Sequence, residues 1–139
     1  MFAIVKSNFN TKVTSGLLNG CLDALNKKGI DKNQIKIFEV PGAFEIPFTI
    51  NKILRSKADF DAIIALGAII NADTDQYHYI SASVTKGIMQ ITQNSEIPII
   101  FGVLTCQNSQ LAYSRSDNNK KNKGFEAGET AIEMLNQDS

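Results

Sequence analysis

The chain has 139 residues, which fits a single domain over 1–139 with room for a substantial core. Hydrophobic residues make up 43% and charged residues 20%, proportions typical of soluble globular proteins. The 14 lysines and arginines balance the 14 aspartates and glutamates, so net charge favours neither nucleic acid nor a membrane surface as a partner.

The cysteines and the N-terminal segment predict a cytoplasmic location. Cys21 and Cys106 fit no metal-ligand spacing, so we expect free thiols in a reducing compartment and no metal site. The first residues, MFAIVKSNFN, become polar too soon for a signal peptide. No segment has the length and apolar character of a membrane span.

Short apolar segments alternate with segments of helical periodicity along the whole chain. After a first apolar strand, residues 11–29 carry apolar side chains at helical spacing and end on Gly29, a typical helix stop. Pro47 is tolerated only in the first turn of a helix, which therefore starts near Ala43. The predicted elements are, in chain order, strand 2–5, helix 11–29, strand 34–40, helix 43–57, strand 60–70, helix 75–94, strand 97–105, and helices 109–116 and 124–135.

This alternation predicts an α/β fold. The third strand, 60–70, is apolar on both faces, as expected of a central strand in a parallel sheet. We therefore predict a flavodoxin-like, three-layer αβα sandwich with a four-stranded parallel sheet. Ligands of such sheets bind beyond the carboxyl ends of the strands. The segments expected to converge there are 7–10, 41–45, 71–74 and 105–107.

Asp73 and Thr74 stand at the predicted start of the third helix. They fit an ordinary N-cap, and they also fit a turn whose free backbone N–H groups bind a phosphate. A cation opposite would complete such an anion site. Arg115 and Lys123 are the candidates, although each is equally compatible with a surface charge. The lysine-rich run 118–124 fits either a solvated loop or an anion site.

Phe44 and Glu45 lie at a predicted strand-to-helix turn. The ordinary interpretation is a core aromatic and a carboxylate that compensates the helix dipole. The functional alternative is recognition of a flat heterocycle, in which the carboxylate accepts ring N–H groups while Phe9 or Phe44 stacks on the ring. Spacing and composition therefore indicate a phosphate-bearing or heterocyclic small molecule.

Several motifs resemble those of the 6,7-dimethyl-8-ribityllumazine synthase family, over nearly the whole chain. The most specific is VPGAFEIPF at 40–48, followed by DAIIALGAII at 61–70. The resemblance implies condensation of 5-amino-6-(D-ribitylamino)uracil with 3,4-dihydroxy-2-butanone 4-phosphate, the penultimate step of riboflavin biosynthesis, without metal or cofactor. The other matching motifs are SNFN at 7–10, FGVLT at 101–105, Arg115, NKG at 122–124 and AIEM at 131–134.

The same resemblance implies roles for individual residues. Gln76 occupies the position of the family's proton-transferring histidine, and Lys123 that of a lysine beside the active site. Asp73, Thr74 and Arg115 are implied to bind the phosphate. The residues implied to contact the pyrimidine and its ribityl chain are Phe9, Ala43, Phe44, Glu45, Ala68, Ile69, Ile70 and Phe101, the last from an adjacent subunit.

Two positions depart from the family pattern. Asn71-Ala72 replaces the usual Arg-Gly, and the only histidine, His78, comes two residues after Gln76. Two helical residues correspond to a rotation of about 200°, so His78 would face away from Gln76. His78 is a catalytic candidate only if the first turn is irregular, and an interface or surface position is the alternative. Gln76 can hydrogen-bond but cannot carry a proton at neutral pH.

A working enzyme is nevertheless expected, because orientation of two reactants contributes more than general acid–base help. One alternative is a non-catalytic flavin- or lumazine-binding paralogue, which Gln76 and Asn71 would suit. Another is a different condensation, such as that of the archaeal type of riboflavin synthase, against which the retained PGAFEIP argues.

The resemblance also implies self-association into pentamers whose active sites lie between neighbours. Decamers or a sixty-subunit shell are the larger assemblies to consider. Lys121 stands where shell-forming relatives tend to have glycine, and a side chain there opposes the tight turn through which pentamers meet.

Overall fold

The computed structural model describes residues 1–71 and 76–137, in which strands and helices alternate as predicted. The strands are β1 (Phe2–Ser7), β2 (Ile35–Val40), β3 (Ala62–Ile70) and β4 (Ile99–Cys106). The helices are α1 (Thr11–Lys27), α2 (Ile46–Arg55), α3 (Gln76–Gln93), α4 (Ser109–Ser114) and α5 (Lys123–Leu135), with 3-10 turns at Lys32–Gln34 and Ala43–Glu45.

The four strands form one parallel sheet in the order β2-β1-β3-β4. The pairing of β1 with β3 extends only as far as Lys6 opposite Leu66. The longer β3 continues beside β4 to Ile70, which lies opposite Cys106. All carboxyl ends therefore lie at one edge, and the predicted α/β sandwich with a flavodoxin-like strand order is confirmed.

Helices cover both faces of the sheet, because successive strand residues point to opposite sides. On β1, Phe2 and Ile4 pack with residues of α1 and α5. Ala3 and Val5 pack with residues of α2 and α3 on the other face. The strand β3 is buried from Ala62 to Ile69, which confirms the prediction of a central strand.

Most element boundaries differ from those predicted by one to three residues, and two of the differences bear on the candidate site. The helix expected from Ala43 starts as a 3-10 turn and becomes α-helical at Ile46, so Pro47 does lie in its first turn. The first strand continues to Ser7, past Lys6, which is buried in spite of its charge. Both differences lie at the carboxyl edge of the sheet, where the candidate site is formed.

Both cysteines are buried free thiols, as predicted. Burial raises the pKa of Cys21 to about 12, so this side chain packs in the core as a neutral group. Among residues 1–71 and 76–137, no helix is long and apolar enough to cross a membrane. The same residues contain no group of three or more His, Cys, Asp or Glu side chains that could hold a metal ion.

The helices α1 and α5 approach each other through a glycine. A Cβ on Gly124 would overlap the backbone carbonyl of Leu17, so the contact depends on the absence of that atom. Lys123, the first residue of α5, precedes this glycine and is placed by the same contact.

We expect Gly124→Ala to lower the free energy of unfolding by about 1–3 kcal/mol, because the added methyl group must push the two helices apart. Glu129→Ala is the control, since Glu129 is exposed on the same helix, and it should change stability by less than about 0.5 kcal/mol. Urea unfolding followed by circular dichroism measures both. Equal stabilities of the two variants would contradict the close contact.

Candidate active site

A cavity of about 280 Å³ lies at the carboxyl edge of the sheet, between the ends of β1 and β3 and the first turn of α3. It brings together most of the residues that the sequence placed around a pyrimidine, together with Gln76. We call these residues the cavity group: Phe9, Ala43, Phe44, Ala68, Ile69, Ile70 and Gln76. The ends of β1, β2 and β3 therefore converge as predicted, whereas no residue of 105–107 lines the cavity and 72–74 lie outside the described residues.

Two phenylalanines border this cavity. Phe9 is 70% exposed and Phe44 is 62% exposed, high fractions for an apolar side chain. The backbone N–H of Phe9 donates to the carbonyl of Pro41 at 2.9 Å, which continues the pairing of β1 with β2 beyond the sheet. Phe44 lies in the 3-10 turn. Both rings are thus held outside the core, where they can contact a flat ligand or another subunit.

The end of β3 contributes backbone polar groups to the cavity. The pairing of β1 with β3 ends at Leu66. The peptide groups of residues 68–70 that face towards β1 therefore lie beyond the last strand pair. Within the described part of the chain, the Nδ2 of Asn10 makes a long hydrogen bond of 3.5 Å to the carbonyl of Ala68. The remaining N–H and C=O groups can pair with a hydrogen-bonding heterocycle.

Four residues of the cavity lining were given no individual role from the sequence, although Asn10 and Gly42 lie in segments expected at this edge. Asn10 has a left-handed backbone with φ of 64°, which asparagine adopts more readily than most residues, and this conformation turns the chain into α1. Tyr77 is an aromatic residue in a helical turn, and such a residue is usually assigned to the core. Gly42 and Ile80 carry no chemical signal in the sequence. All four line the cavity.

Glu45 does not line the cavity, although the sequence placed it against the pyrimidine. Its Oε1 accepts a hydrogen bond of 2.9 Å from the backbone N–H of Gly42. This bond closes the turn that leads into α2, which fits the helix-start interpretation, and contact of Glu45 with the pyrimidine stays a prediction. Among the described residues its Oε2 has no hydrogen-bond donor.

Gln76 and His78 differ in their relation to the cavity. Gln76 is the exposed first residue of α3 and lines the cavity. His78 is exposed and is not part of the lining; its ring lies edge-on to that of Tyr77, with 5.0 Å between centroids. The chain's only imidazole therefore contacts Tyr77, which lines the cavity, but does not line the cavity itself.

Phe101 and Lys123 lie elsewhere, at a second cavity of about 340 Å³ between β4 and α5. The Nζ of Lys123 is 3.7 Å from Oε1 of Glu126, one turn along α5. Because β4 is the last strand in the sheet order, this cavity is at an edge of the molecule. Within one chain these two residues do not join the cavity group.

Arg115 is connected to Lys123 through the backbone. Its carbonyl accepts a hydrogen bond of 2.7 Å from the N–H of Lys123, and its Nε donates to the carbonyl of Lys121 at 3.2 Å. Burial raises the pKa of the Cys106 thiol, and the positive charge of Arg115 partly opposes that rise, so the guanidinium lies near the end of β4. We call Phe101, Arg115 and Lys123 the edge group.

The predicted phosphate-binding turn follows Asn71 in the sequence. Asp73 and Thr74 lie outside the described residues. The residue before this segment, Asn71, donates its backbone N–H to the carbonyl of Cys106 at 2.9 Å. Asn71 therefore lies beside the end of β4.

The sequence matches one family model over its entire length. The matched residues are 1–139, and the model describes 6,7-dimethyl-8-ribityllumazine synthase. The match spans both the cavity group and the edge group, together with the sheet that positions them. The chain therefore belongs to the 6,7-dimethyl-8-ribityllumazine synthase family, transferases of riboflavin biosynthesis.

Proposed function

We propose that this chain condenses 5-amino-6-(D-ribitylamino)uracil with 3,4-dihydroxy-2-butanone 4-phosphate to form 6,7-dimethyl-8-ribityllumazine, releasing phosphate and water. The observation that carries the proposal is the cavity group, which gathers residues from four separate segments of the chain at one edge of the sheet. Family membership supplies the reaction class, and the chemistry of this cavity supports the choice of substrates.

The cavity is suited to the pyrimidine substrate. An aminouracil is flat and carries alternating hydrogen-bond donors and acceptors. The rings of Phe9 and Phe44 offer stacking surfaces, and the end of β3 offers unpaired backbone groups. Stacking together with backbone hydrogen bonding would fix the ring plane and the orientation of its reacting amine.

The edge group is suited to the phosphate-bearing substrate. Arg115 carries a guanidinium of fixed shape, which binds phosphate through paired hydrogen bonds. Lys123 adds a second cation on the adjoining backbone. Asp73 and Thr74, which precede α3 in the sequence, are proposed to complete this phosphate site.

The separation of the two groups supports an active site shared by neighbouring subunits. In this arrangement, Phe101, Arg115 and Lys123 of one copy would cover the cavity group of the next. Two exposed aromatic residues on the helices that flank this part of the sheet, Phe48 on α2 and Tyr79 on α3, provide apolar surface for such a contact. A repeated head-to-tail contact of this kind closes into a ring, which we propose to be a pentamer.

Catalysis by this site would depend mainly on orientation. Holding two reactants in bonding geometry is worth roughly 7–11 kcal/mol. General acid–base catalysis contributes about 10²–10⁴-fold, a smaller share. The chain lacks an imidazole at Gln76, so the substrate's own phosphate and the ammonium of Lys123 are the remaining groups that can move protons. We expect a functional but slow synthase.

Two other functions fit less well. A non-catalytic lumazine or flavin binder would explain Gln76 and Asn71, but the match to the synthase family over the whole chain does not favour it. A condensation of the archaeal riboflavin synthase type would not need the PGAFEIP segment, whose Ala43 and Phe44 line the cavity.

The function is tested by mixing the purified chain with both substrates and following lumazine fluorescence and phosphate release together. Equal amounts of lumazine and phosphate are expected, at a rate above that of the uncatalysed mixture. Tight binding of lumazine without turnover would replace the proposal with the binder.

The assembly gives a further prediction. Native mass spectrometry should detect five copies of the 15.2 kDa chain, whether free or as the unit of a decamer or a shell. A side chain at Lys121 favours the smaller assemblies. A stable monomer or dimer that still turns over substrate would rule out the shared site, because each pocket would lack the edge group.

A further inference from the structure

Lys6 is a buried lysine at the carboxyl end of β1. Only 6% of its side chain is exposed, whereas lysine is normally among the most exposed residues. Its Nζ donates a hydrogen bond of 2.9 Å to Oδ1 of Asn8. Among residues 1–71 and 76–137, the one carboxylate oxygen within 4 Å is Oε1 of Glu39, 3.7 Å away on a side chain that is 59% exposed. Within that part of the chain, the Asn8 bond is therefore the shorter restraint on the buried ammonium.

This hydrogen bond ends on Asn8, the residue that precedes Phe9 in the chain. The backbone N–H groups of Asn8 and Phe9 donate to the carbonyls of Val40 and Pro41, which fixes the main chain at the exit of β1. The Asn8 side chain itself is exposed. Its amide is restrained by Lys6, which reaches it from within the sheet.

We infer that Lys6 is a positioning residue for the pyrimidine substrate, acting through Asn8 on the orientation of Phe9. The inference rests on the proposed function, because it takes Phe9 to be the stacking surface for the pyrimidine. Lys6 does not line the cavity and touches no reacting atom. Its effect should be specific for one substrate, because Phe9 belongs to the cavity group and the phosphate site to the edge group.

The position can be altered without a large loss of stability. Replacing a buried charge by an apolar side chain of similar length is often neutral or stabilising, so Lys6→Met should fold. Asn8→Ala removes the other half of the same hydrogen bond at an exposed position. Glu39→Gln is the matched control, since an exposed carboxylate at this distance contributes little.

Steady-state kinetics with each substrate varied in turn tests the inference. Lys6→Met and Asn8→Ala should each raise KM for the ribitylaminouracil by about three- to tenfold, the change that corresponds to one lost hydrogen bond. The KM for the butanone phosphate and kcat should stay near the wild-type values. The double variant should show no more than the larger single effect, because both changes remove one interaction. Lys6→Arg keeps a positively charged donor at this position, so its KM for the ribitylaminouracil should stay much closer to the wild-type value than that of Lys6→Met.

Three results would overturn the inference: equal effects on both substrates, additive effects in the double variant, or an unchanged pyrimidine KM. If Lys6→Met does not fold, the exposed Asn8→Ala variant gives the answer alone. Failure of the proposed function would give a different result, because the wild-type chain itself would then not convert the two substrates. Fluorescence titration with 6,7-dimethyl-8-ribityllumazine would replace kinetics in that case, and equal Kd values for wild type and Asn8→Ala would refute the role of Lys6.

Discussion

Arg115→Ala should raise the KM for 3,4-dihydroxy-2-butanone 4-phosphate by about 10- to 100-fold, the range expected when hydrogen bonds to a charged group are lost. The KM for the ribitylaminouracil should change little, because Arg115 belongs to the edge group and not to the pyrimidine cavity. The Nε of Arg115 is bonded to the carbonyl of Lys121. This bond holds the guanidinium plane and leaves its other N–H groups for the phosphate.

The control for Arg115 is Lys120→Ala, an exposed lysine of the same loop. It should reduce the local positive charge without changing either KM by more than about twofold, since exposed charges contribute little at physiological salt. Initial rates with each substrate varied in turn give both constants. Equal losses for the two substrates in Arg115→Ala would remove the phosphate assignment.

Gln76→His should raise kcat by about tenfold or more, within the range of general acid–base catalysis. Gln76 is exposed at the first position of α3 and lines the cavity, so an imidazole there would lie beside the bound substrates. Both KM values should stay nearly unchanged. The variant's rate should also acquire a pH inflection near the ordinary histidine pKa of about 6.5.

His78→Gln in the otherwise unchanged chain is the control for Gln76→His. Because His78 is exposed and lies outside the cavity lining, its loss should leave kcat unaltered. A large drop in kcat would identify His78 as the proton carrier. An unimproved Gln76→His would mean that Lys123 or the substrate phosphate already supplies the proton transfer.

The fold was predictable because helices bury both faces of its sheet, which leaves continuous apolar runs in the strand sequences. The apolar run of β3 indicated a central parallel strand, and Pro47 marked a helix start to within one turn. The extension of β1 past Lys6 was not predictable, since a lysine normally ends a buried strand. Its burial depends on Asn8, whose position follows from the tertiary structure.

The candidate site was predictable in composition but less so in arrangement. Parallel topology placed Phe9, Phe44 and Gln76 at one edge of the sheet, and the structure brings them to one cavity. The bond from the Gly42 N–H to Glu45 depends on local turn geometry that periodicity does not reveal. Phe101 lies outside the cavity that contains Phe9 and Phe44, because it is on β4, the last strand in the sheet order.

Subunit complementation tests the central claim that one synthase site is built from two chains. Phe9→Asp disables the cavity group at an exposed position, and Arg115→Ala disables the edge group. Each variant alone should be nearly inactive at low concentrations of the butanone phosphate. In randomly mixed rings made by co-expressing equal amounts, about a quarter of the interfaces would pair an intact cavity group with an intact edge group. Lumazine formation at about a quarter of the wild-type rate is therefore predicted, and a co-expressed mixture no more active than the separate variants would contradict the account.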